Sequence, residues 1–301
     1  MPQTGQSPDR ILATPHGALA KTNPENPEGS RWLSLLAHSA DAGAVAEAIL
    51  SIPEIADRVG ADSGSKLGKT ECARVALLVS LHDLGKVSVG FQRRLRGGEA
   101  GLAAAHPRHG DHVDCLLALL NEADSDIEAG LFLEAAGWPA LAKWSPKMRG
   151  IFVAILGHHG PLIAESHEPD LWRPVAGHVP AVEARRLFLA AHDWFLDAFE
   201  AGEPLPSCPK FRHAIRCLAA ISDRIASDAL IFWLDEDAGA ERIAFSRKKA
   251  ARLRSEWLRD PEKQAAFKKI ASSVEFGFEK QFGEQSPWLL KDLRPAAPKL
   301  A

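Results

Sequence analysis

The chain has 301 residues, of which 46% are hydrophobic, and 36 lysines and arginines stand against 39 acidic residues, for a formal net charge of -3. This length can supply one large or two ordinary domains with a substantial core, and the near balance of charge excludes a whole-chain attraction to nucleic acid. The four cysteines form no Cys-x-x-Cys pair, and the N-terminus has no signal-peptide pattern. No apolar run approaches the roughly 18 residues that a membrane span needs. We therefore predict a soluble, cytoplasmic protein with no membrane contact.

The first segment, residues 1–29, is rich in proline, glycine, asparagine and serine and cannot sustain a helix. We expect a flexible N-terminal arm that becomes ordered near Trp32. Residues 32–50 then carry apolar side chains at helical spacing, with His38 inside the run. Taken alone, His38 is best interpreted as a helix histidine that is hydrogen-bonded to a neighbour.

The stretch GADSGSKLGKT, residues 60–70, resembles a phosphate-binding loop. It has Ser63 where that motif requires glycine, and no strand precedes it. We therefore interpret it as a solvated turn that opens the next helix.

That helix, ECARVALLVSLHDLG, is apolar almost throughout, which predicts a buried central element. It ends in His82 and Asp83, an imidazole and a carboxylate that together suit a divalent cation. Lys86 follows three residues after Asp83. It would place an ammonium group beside an anion held at the metal, or it is a solvated lysine at a helix end.

Further histidines occur in two clusters. His106, His109 and His112 are spaced by three at the start of another helix, so they share a face and any of them could be a ligand. His158 and His159 lie between glycines after an apolar helix. Adjacent side chains on a regular helix diverge by about 100°, but two metals would remove that limit, and we favour a functional interpretation of this doublet.

Two other sets of histidines are interpreted as structural. His167 and His178 lie in a proline-rich loop over residues 162–180 and are predicted to be exposed. The pair His192 and Asp193 lies in the middle of a helix without a following glycine, and we interpret it as partly exposed.

The last two predicted helices contain an acidic residue among apolar ones and a run of basic residues. Asp223 lies among apolar residues of a long amphipathic helix and needs a partner if it faces inward, and Ser227 shares its face. The arginine- and lysine-rich run over residues 242–254 is interpreted as a solvated helix face, with contact to a phosphate backbone or a partner as the alternative. Residues 276–301 are predicted to be a C-terminal linker or tail.

Together these donors number five imidazoles and two carboxylates if one histidine of the triplet contributes. This is too many for one zinc site and suits two octahedral ions bridged by an Asp. Because no thiolate takes part, Mn²⁺, Fe²⁺, Co²⁺ or Ni²⁺ are the expected metals. Paired ions about 3.5 to 4 Å apart hydrolyse phosphate esters, and Lys86 would neutralise charge on the transition-state phosphoryl group.

The order of these motifs resembles the HD-superfamily nuclease domain of the type I CRISPR-associated helicase-nuclease. The motifs are His38, LHDLGK at 81–86, RHG at 108–110, GHHG at 157–160 and SDRIAS at 222–227, with FQ at 91–92 as a further similarity. The resemblance covers about residues 30–235. It implies an all-α fold, an HD-domain helical bundle with a central dinuclear metal site, here assigned to residues 30–275.

The resemblance also implies the ligands. One metal would be bound by His38, His82, Asp83 and Asp223, and a second by Asp83, His109, His158 and His159. The RH context selects His109 as the third histidine, with His112 next. Ser227 corresponds to a serine that the family carries four residues after its last Asp, and it joins Asp83 and Lys86 as a predicted catalytic residue.

The implied function is a metal-dependent endo- or exodeoxyribonuclease that cuts single-stranded DNA in type I CRISPR interference, an antiviral defence. Its implied partners are a CRISPR helicase domain or subunit and the target-bound surveillance complex. Two alternatives remain from the residues alone. One is an HD phosphohydrolase acting on nucleotides or cyclic nucleotides, and the other is a non-catalytic docking module.

Overall fold

A computed structural model of the chain describes residues 17–22, 32–61, 66–95, 112–122, 126–159, 169–175, 177–228, 231–232 and 242–260. The helices are α1 Leu35–Leu50, α2 Pro53–Ala61, α3 Lys69–Ser80, α4 at 89–95, α5 His112–Glu122, α6 Ile127–Ala135, α7 Trp138–Leu141, α8 Met148–Leu156, α9 Pro180–Trp194, α10 Pro209–Ala226 and α11 Arg242–Arg259. Short 3₁₀ turns lie at Leu84–Val87, Ala142–Trp144, Gly157–His159, Pro169–Leu171 and Leu196–Phe199. The predicted all-α helical bundle is confirmed.

None of the helices in these ranges is by itself long and apolar enough to cross a membrane. The segments Leu35–Leu50 and Pro53–Gly60 pass that test of length and composition only as a pair, which is bent by 93°.

Helix α3 is the central element, as its apolar sequence predicts. The side chains of Val75 to Val79 are completely buried, and α3 packs against α1 and against the turn Leu196–Phe199. At its start, the carboxylate of Glu71 accepts hydrogen bonds from the backbone N–H groups of Gly68 and Glu203, both at 2.8 Å. A buried helix whose first turn is tied to a distant loop gives a rigid base for the residues that follow its C-terminus.

A small antiparallel sheet joins the bundle. Strand β1, Leu19–Thr22, pairs with β2, Trp32–Ser34, immediately before α1. Because β1 lies inside the segment predicted to be a flexible arm, the expectation that order begins near Trp32 is wrong. Ala18, Leu19 and Ala20 are buried, but three apolar residues are too few to predict a strand from the sequence. The division of the chain into arm, domain and tail stays a prediction, and residues 261–301 lie outside the described ranges.

Helix α11 is held to α1 by a buried ion pair. The completely buried guanidinium of Arg242 donates to both carboxylate oxygens of Asp41, at 3.0 and 2.7 Å, and the Ser246 hydroxyl donates to the same carboxylate at 2.6 Å. Arg247 donates to Glu47 at 2.7 Å, also on α1. The prediction of a solvated basic face is therefore wrong for Arg242, which is completely buried, whereas Arg247 remains 41% exposed. Both arginines meet acidic side chains of α1 that are about 200 residues away in the sequence.

We expect Arg242→Met to lower the free energy of unfolding by about 3 to 5 kcal/mol, because it leaves the Asp41 carboxylate buried without its cation. The matched control is Arg252→Ala on the same helix. Arg252 pairs with Glu256 at the exposed surface, so the expected loss is below about 1 kcal/mol. Urea unfolding measures both, and equal small losses would contradict a stabilising buried pair.

Candidate metal centre

Five segments bring the candidate ligands together at the C-terminal end of α3. His38 lies on α1, His82 and Asp83 follow α3, and His112 begins α5. His158 and His159 form the turn after α8, and Asp223 lies near the end of α10.

Two glycines allow this convergence. A Cβ at Gly43 would lie 2.9 Å from the Cβ of Ser80, so glycine lets α1 approach α3 closely. A Cβ at Gly85 would overlap the carbonyl oxygen of His112, so glycine lets α5 reach the turn after α3. These close contacts bring His38 and His112 next to different oxygens of the Asp83 carboxylate.

The first group of potential ligands contains His38, His82, Asp83 and Asp223. One ligand atom from each lies within 4.8 Å of the others. Nε2 of His38 is 3.1 Å from Oδ2 of Asp83 and 3.0 Å from Oδ1 of Asp223. The structure therefore places together the four residues that the resemblance assigns to one metal.

The second group contains Asp83, His112, His158 and His159, again with ligand atoms within 4.8 Å of one another. Nε2 of His112 is 2.8 Å from Oδ1 of Asp83, and Nε2 of His158 is 3.9 Å from the same oxygen. Asp83 thus presents Oδ2 to the first group and Oδ1 to the second. A carboxylate placed in this way could bridge two ions.

The third histidine in this arrangement is His112, which the sequence ranked second. His109, the predicted ligand, lies outside the described residues, so its assignment stays a prediction. Spacing alone could not separate the two, because the close packing of α5 on Gly85 is a tertiary contact that no local motif reports.

The donor set fits a divalent metal. Nε2 of His38, His82 and His158 and Oδ2 of Asp83 are buried without a hydrogen bond of acceptable geometry. Nδ1 of His82 lies 2.8 Å from the carbonyl oxygen of Val79, and Nδ1 of His158 lies 2.9 Å from that of Ile155. Carbonyls that accept from Nδ1–H leave Nε2 as a lone-pair donor directed at the site, which is the usual support of a metal-binding histidine.

Burial and the neighbouring charged groups shift the pKa values of His82 and His158 in opposite directions. Burial disfavours the charged form of His82, but Asp83 and Asp223 outweigh burial and raise the pKa of His82 to about 9. Burial would raise the pKa of Asp223, but the adjacent rings of His38 and His82 outweigh it and hold that pKa below its usual value. Burial and the adjacent His82 lower the pKa of His158 to about 3. The site thus combines anionic carboxylates with a neutral His158.

Two lysines and a serine lie beside the carboxylates. Nζ of Lys86, which is almost completely buried, is 2.5 Å from Oδ2 of Asp83. The Ser227 hydroxyl donates to the Asp223 backbone carbonyl at 2.6 Å and lies 3.0 Å from its carboxylate. Nζ of Lys21, on β1, lies 3.7 Å from Asp223 Oδ1 and contacts Ser227. Sequence reasoning missed Lys21, since a single lysine in a proline-rich segment carries no recognisable signal.

The predictions for the histidines away from the site are partly wrong. His178 is buried with Nε2 2.7 Å from the carbonyl oxygen of Val87, so the prediction that it is exposed is wrong: it supports the turn that carries Lys86. His167 lies outside the described residues. The pair His192 and Asp193 is at the surface, as interpreted, with 3.2 Å between the ring and the carboxylate.

Comparison with known proteins agrees with this architecture. The family model described as "Cas3, HD domain" matches residues 19–232. No curated protein matches the chain. A solved "CRISPR-associated protein" is 19% identical with a TM-score of 0.55, covering 85% of this chain and 28% of that one. Cas3 of T. fusca with ATP is 17% identical with a TM-score of 0.53, covering 81% and 26%.

The HD domain of Thermus thermophilus cas3, solved in the presence of Ni²⁺, is 22% identical with a TM-score of 0.49, covering 85% of this chain and 93% of that domain. The chain spans only 28% and 26% of the length of the first two solved proteins. At these identities, the likeness of those two shows the fold.

Metal binding should release a proton from His82. The ring stays protonated up to about pH 9 in the metal-free protein, and a cation binds only the neutral ring. We expect Mn²⁺ binding near pH 7 to release at least the proton of His82, a contribution that falls above about pH 9, and to release none from His158. Titration calorimetry in buffers of different ionisation enthalpy counts these protons, and no release at neutral pH would contradict the raised pKa of His82.

The third histidine can be identified by metal counting. We expect His112→Ala to reduce the bound Mn²⁺ from about two ions to about one, because the second group loses a ligand. His192→Ala, the matched surface control, should retain both ions. Elemental analysis after dialysis gives the ratio. Loss of an ion from His109→Ala but not from His112→Ala would instead favour His109.

Proposed function

The chain belongs to the Cas3 HD-domain family, and we propose that it is a metal-dependent nuclease that hydrolyses phosphodiester bonds of single-stranded DNA in type I CRISPR interference. The observation that carries this proposal is Asp83, whose two oxygens each face a separate group of nitrogen and oxygen donors. Such paired sites are suited to the hydrolysis of phosphate esters.

We propose two divalent transition-metal ions, Mn²⁺, Fe²⁺, Co²⁺ or Ni²⁺, as the cofactors. One would be held by His38, His82, Asp83 and Asp223, and the other by Asp83, His112, His158 and His159. The bound ions would supply an activated water and Lewis-acid stabilisation of the phosphoryl oxygens. Nitrogen and carboxylate donors without a thiolate favour these metals over a structural zinc.

Lys86 and Ser227 would support the reaction without binding a metal. Lys86 holds an ammonium group 2.5 Å from the bridging carboxylate, where it would offset negative charge that builds up on the phosphoryl group. Ser227 holds the last turn of α10 by donating to the backbone carbonyl of Asp223. That contact keeps the Asp223 carboxylate directed at His38 and His82.

An aromatic ring with cationic neighbours beside the site supports nucleic acid as the substrate. The half-buried ring of Phe91 lies 5.3 Å from the ring of His112, with Lys86 at 5.6 Å and Arg94 at 5.3 Å from its centroid. An aromatic ring flanked by cations can bind a base by stacking and the adjacent phosphates by charge. We propose that this ring receives a base of the strand that is being cut.

The proposed setting follows from family membership. We propose that the domain acts in the cytoplasm with a CRISPR helicase domain or subunit and is recruited to the target-bound surveillance complex. The proposed chemistry needs only this chain and its metal ions, so cleavage of free single-stranded DNA can be tested directly without these partners.

We expect the protein to degrade circular single-stranded DNA in the presence of Mn²⁺ or Ni²⁺. Asp83→Asn should lower the rate of cleavage by at least about 10²- to 10³-fold, because it removes the charge that both ligand groups share. Asp193→Asn changes the surface His-Asp pair in the same way and should leave the rate unchanged. Gel analysis of DNA products gives the rates, and circular dichroism checks the fold.

Other outcomes identify the alternatives. Release of phosphate or pyrophosphate from nucleotides without cleavage of DNA would favour a nucleotide-directed HD phosphohydrolase. Equal inactivity of the wild type and Asp83→Asn with each of the four metals would favour a docking module.

A further inference from the structure

Lys21 is a second cation at the metal centre. Its side chain is 26% exposed, and its ammonium group contacts both Asp223 and Ser227 from strand β1. The deeper groups of the first ligand set, His38, His82 and Asp83, are completely buried, whereas Asp223 is 16% exposed. The first ligand set is therefore accessible to solvent at Asp223, beside Lys21, and the second is accessible at His159.

The ammonium group of Lys21 and a metal ion would compete for one atom. Oδ1 of Asp223 lies 3.7 Å from Nζ of Lys21 and also 3.0 Å from Nε2 of His38, in the first ligand set. A divalent ion bound to this oxygen would repel the ammonium group, and the flexible four-carbon side chain could turn toward solvent. Lys21 would then offer its positive charge to an anionic substrate at an accessible edge of the site.

Gln92 links Lys21 to Lys86. Its completely buried side-chain amide donates to the carbonyl oxygens of Leu19, at 2.8 Å, and of Lys86, at 2.7 Å. Its own oxygen accepts from the N–H of Leu19 at 3.0 Å. One side chain thus ties the strand that carries Lys21 to the turn that carries Lys86.

Strand β1 has a second anchor at its start. The N–H of Ala18 donates to the carboxylate of Glu183, on α9, at 3.0 Å. With its backbone held at Ala18 and Leu19, the strand has a fixed position. Rotation of the Lys21 side chain alone would then carry its ammonium group from Asp223 to a substrate phosphate.

We propose that Lys21 binds a phosphate oxygen of the substrate strand at the accessible edge of the metal centre. We further propose that Gln92 is the positioning residue that sets Lys21 and Lys86 relative to each other. This inference rests on the proposed nuclease function. It adds a substrate-binding group that lies outside both sets of metal ligands.

The test measures how salt weakens binding. The probe is a cleavage-resistant phosphorothioate oligothymidine, bound to the full chain in the presence of Mn²⁺. Each phosphate contact in a single strand contributes about 0.7 to the slope of log affinity against log salt concentration. We expect Lys21→Ala to make this slope shallower by about 0.7 and to raise the KM for DNA, while Lys21→Arg keeps the slope because it keeps the charge.

The matched control is Lys69→Ala. Lys69 is an exposed lysine that pairs with Asp197 at the first turn of α3, the opposite end of that helix from His82. Its substitution should change neither the slope nor KM. An equal change in both alanine variants would show a general charge effect and overturn the assignment to Lys21.

Metal affinity separates substrate binding from a structural role. If Lys21 binds substrate, Lys21→Ala should retain Mn²⁺ affinity or increase it, since the variant removes a positive charge beside Asp223. If Lys21 only holds Asp223 in place, Mn²⁺ binding should weaken together with DNA binding, and the proposal fails.

Gln92→Leu tests the positioning role. We expect this variant to lower the slope as Lys21→Ala does, and the double variant to lower it no further, because both changes remove the same contact. Additive losses, or an unchanged slope in folded Gln92→Leu, would overturn the positioning role. Should Gln92→Leu not fold, Lys21→Ala and Lys21→Arg still decide the main claim.

The outcomes also distinguish this inference from the function on which it rests. A wild type that neither binds nor cuts single-stranded DNA overturns the proposed nuclease and this inference together. A wild type that cuts DNA, with a Lys21→Ala salt slope equal to its own, leaves the nuclease standing and overturns only the role of Lys21.

Discussion

The rest of the structure depends on one buried carboxylate. Asp83 is completely buried, which costs free energy unless cationic or hydrogen-bonding partners surround it. Its partners come from α1, from the HD turn itself and from α5 and the turn after α8. Elements far apart in the sequence must therefore be packed correctly before this group is stabilised, and the same packing assembles the metal centre.

The position of α1 shows how the scaffold supports the site. His38 and Asp41 lie three residues apart on this helix, so they share one side of it. His38 faces the metal centre, whereas Asp41 is held by Arg242 of α11. A bidentate contact between planar groups fixes direction as well as distance. The buried ion pair thus orients the helix that carries the first ligand, although it takes no part in the chemistry.

The sequence predicts the residues of the site better than their surroundings. The almost continuous apolar sequence of α3 indicated that this helix is buried. His38 and the HD, GHHG and SDRIAS motifs indicated six ligand positions that the structure brings together. The choice between His109 and His112, the burial of His178 and the role of Lys21 depend on contacts between distant segments. Periodicity and local motifs report which face a residue occupies, but they do not report which segment covers that face.

The most direct test of a shared Asp83 is anomalous X-ray scattering from a crystal of the protein with Mn²⁺. The account predicts two peaks about 3.5 to 4 Å apart, each coordinated by a different oxygen of Asp83. A single peak, or two peaks of which one has no contact with Asp83, would contradict it.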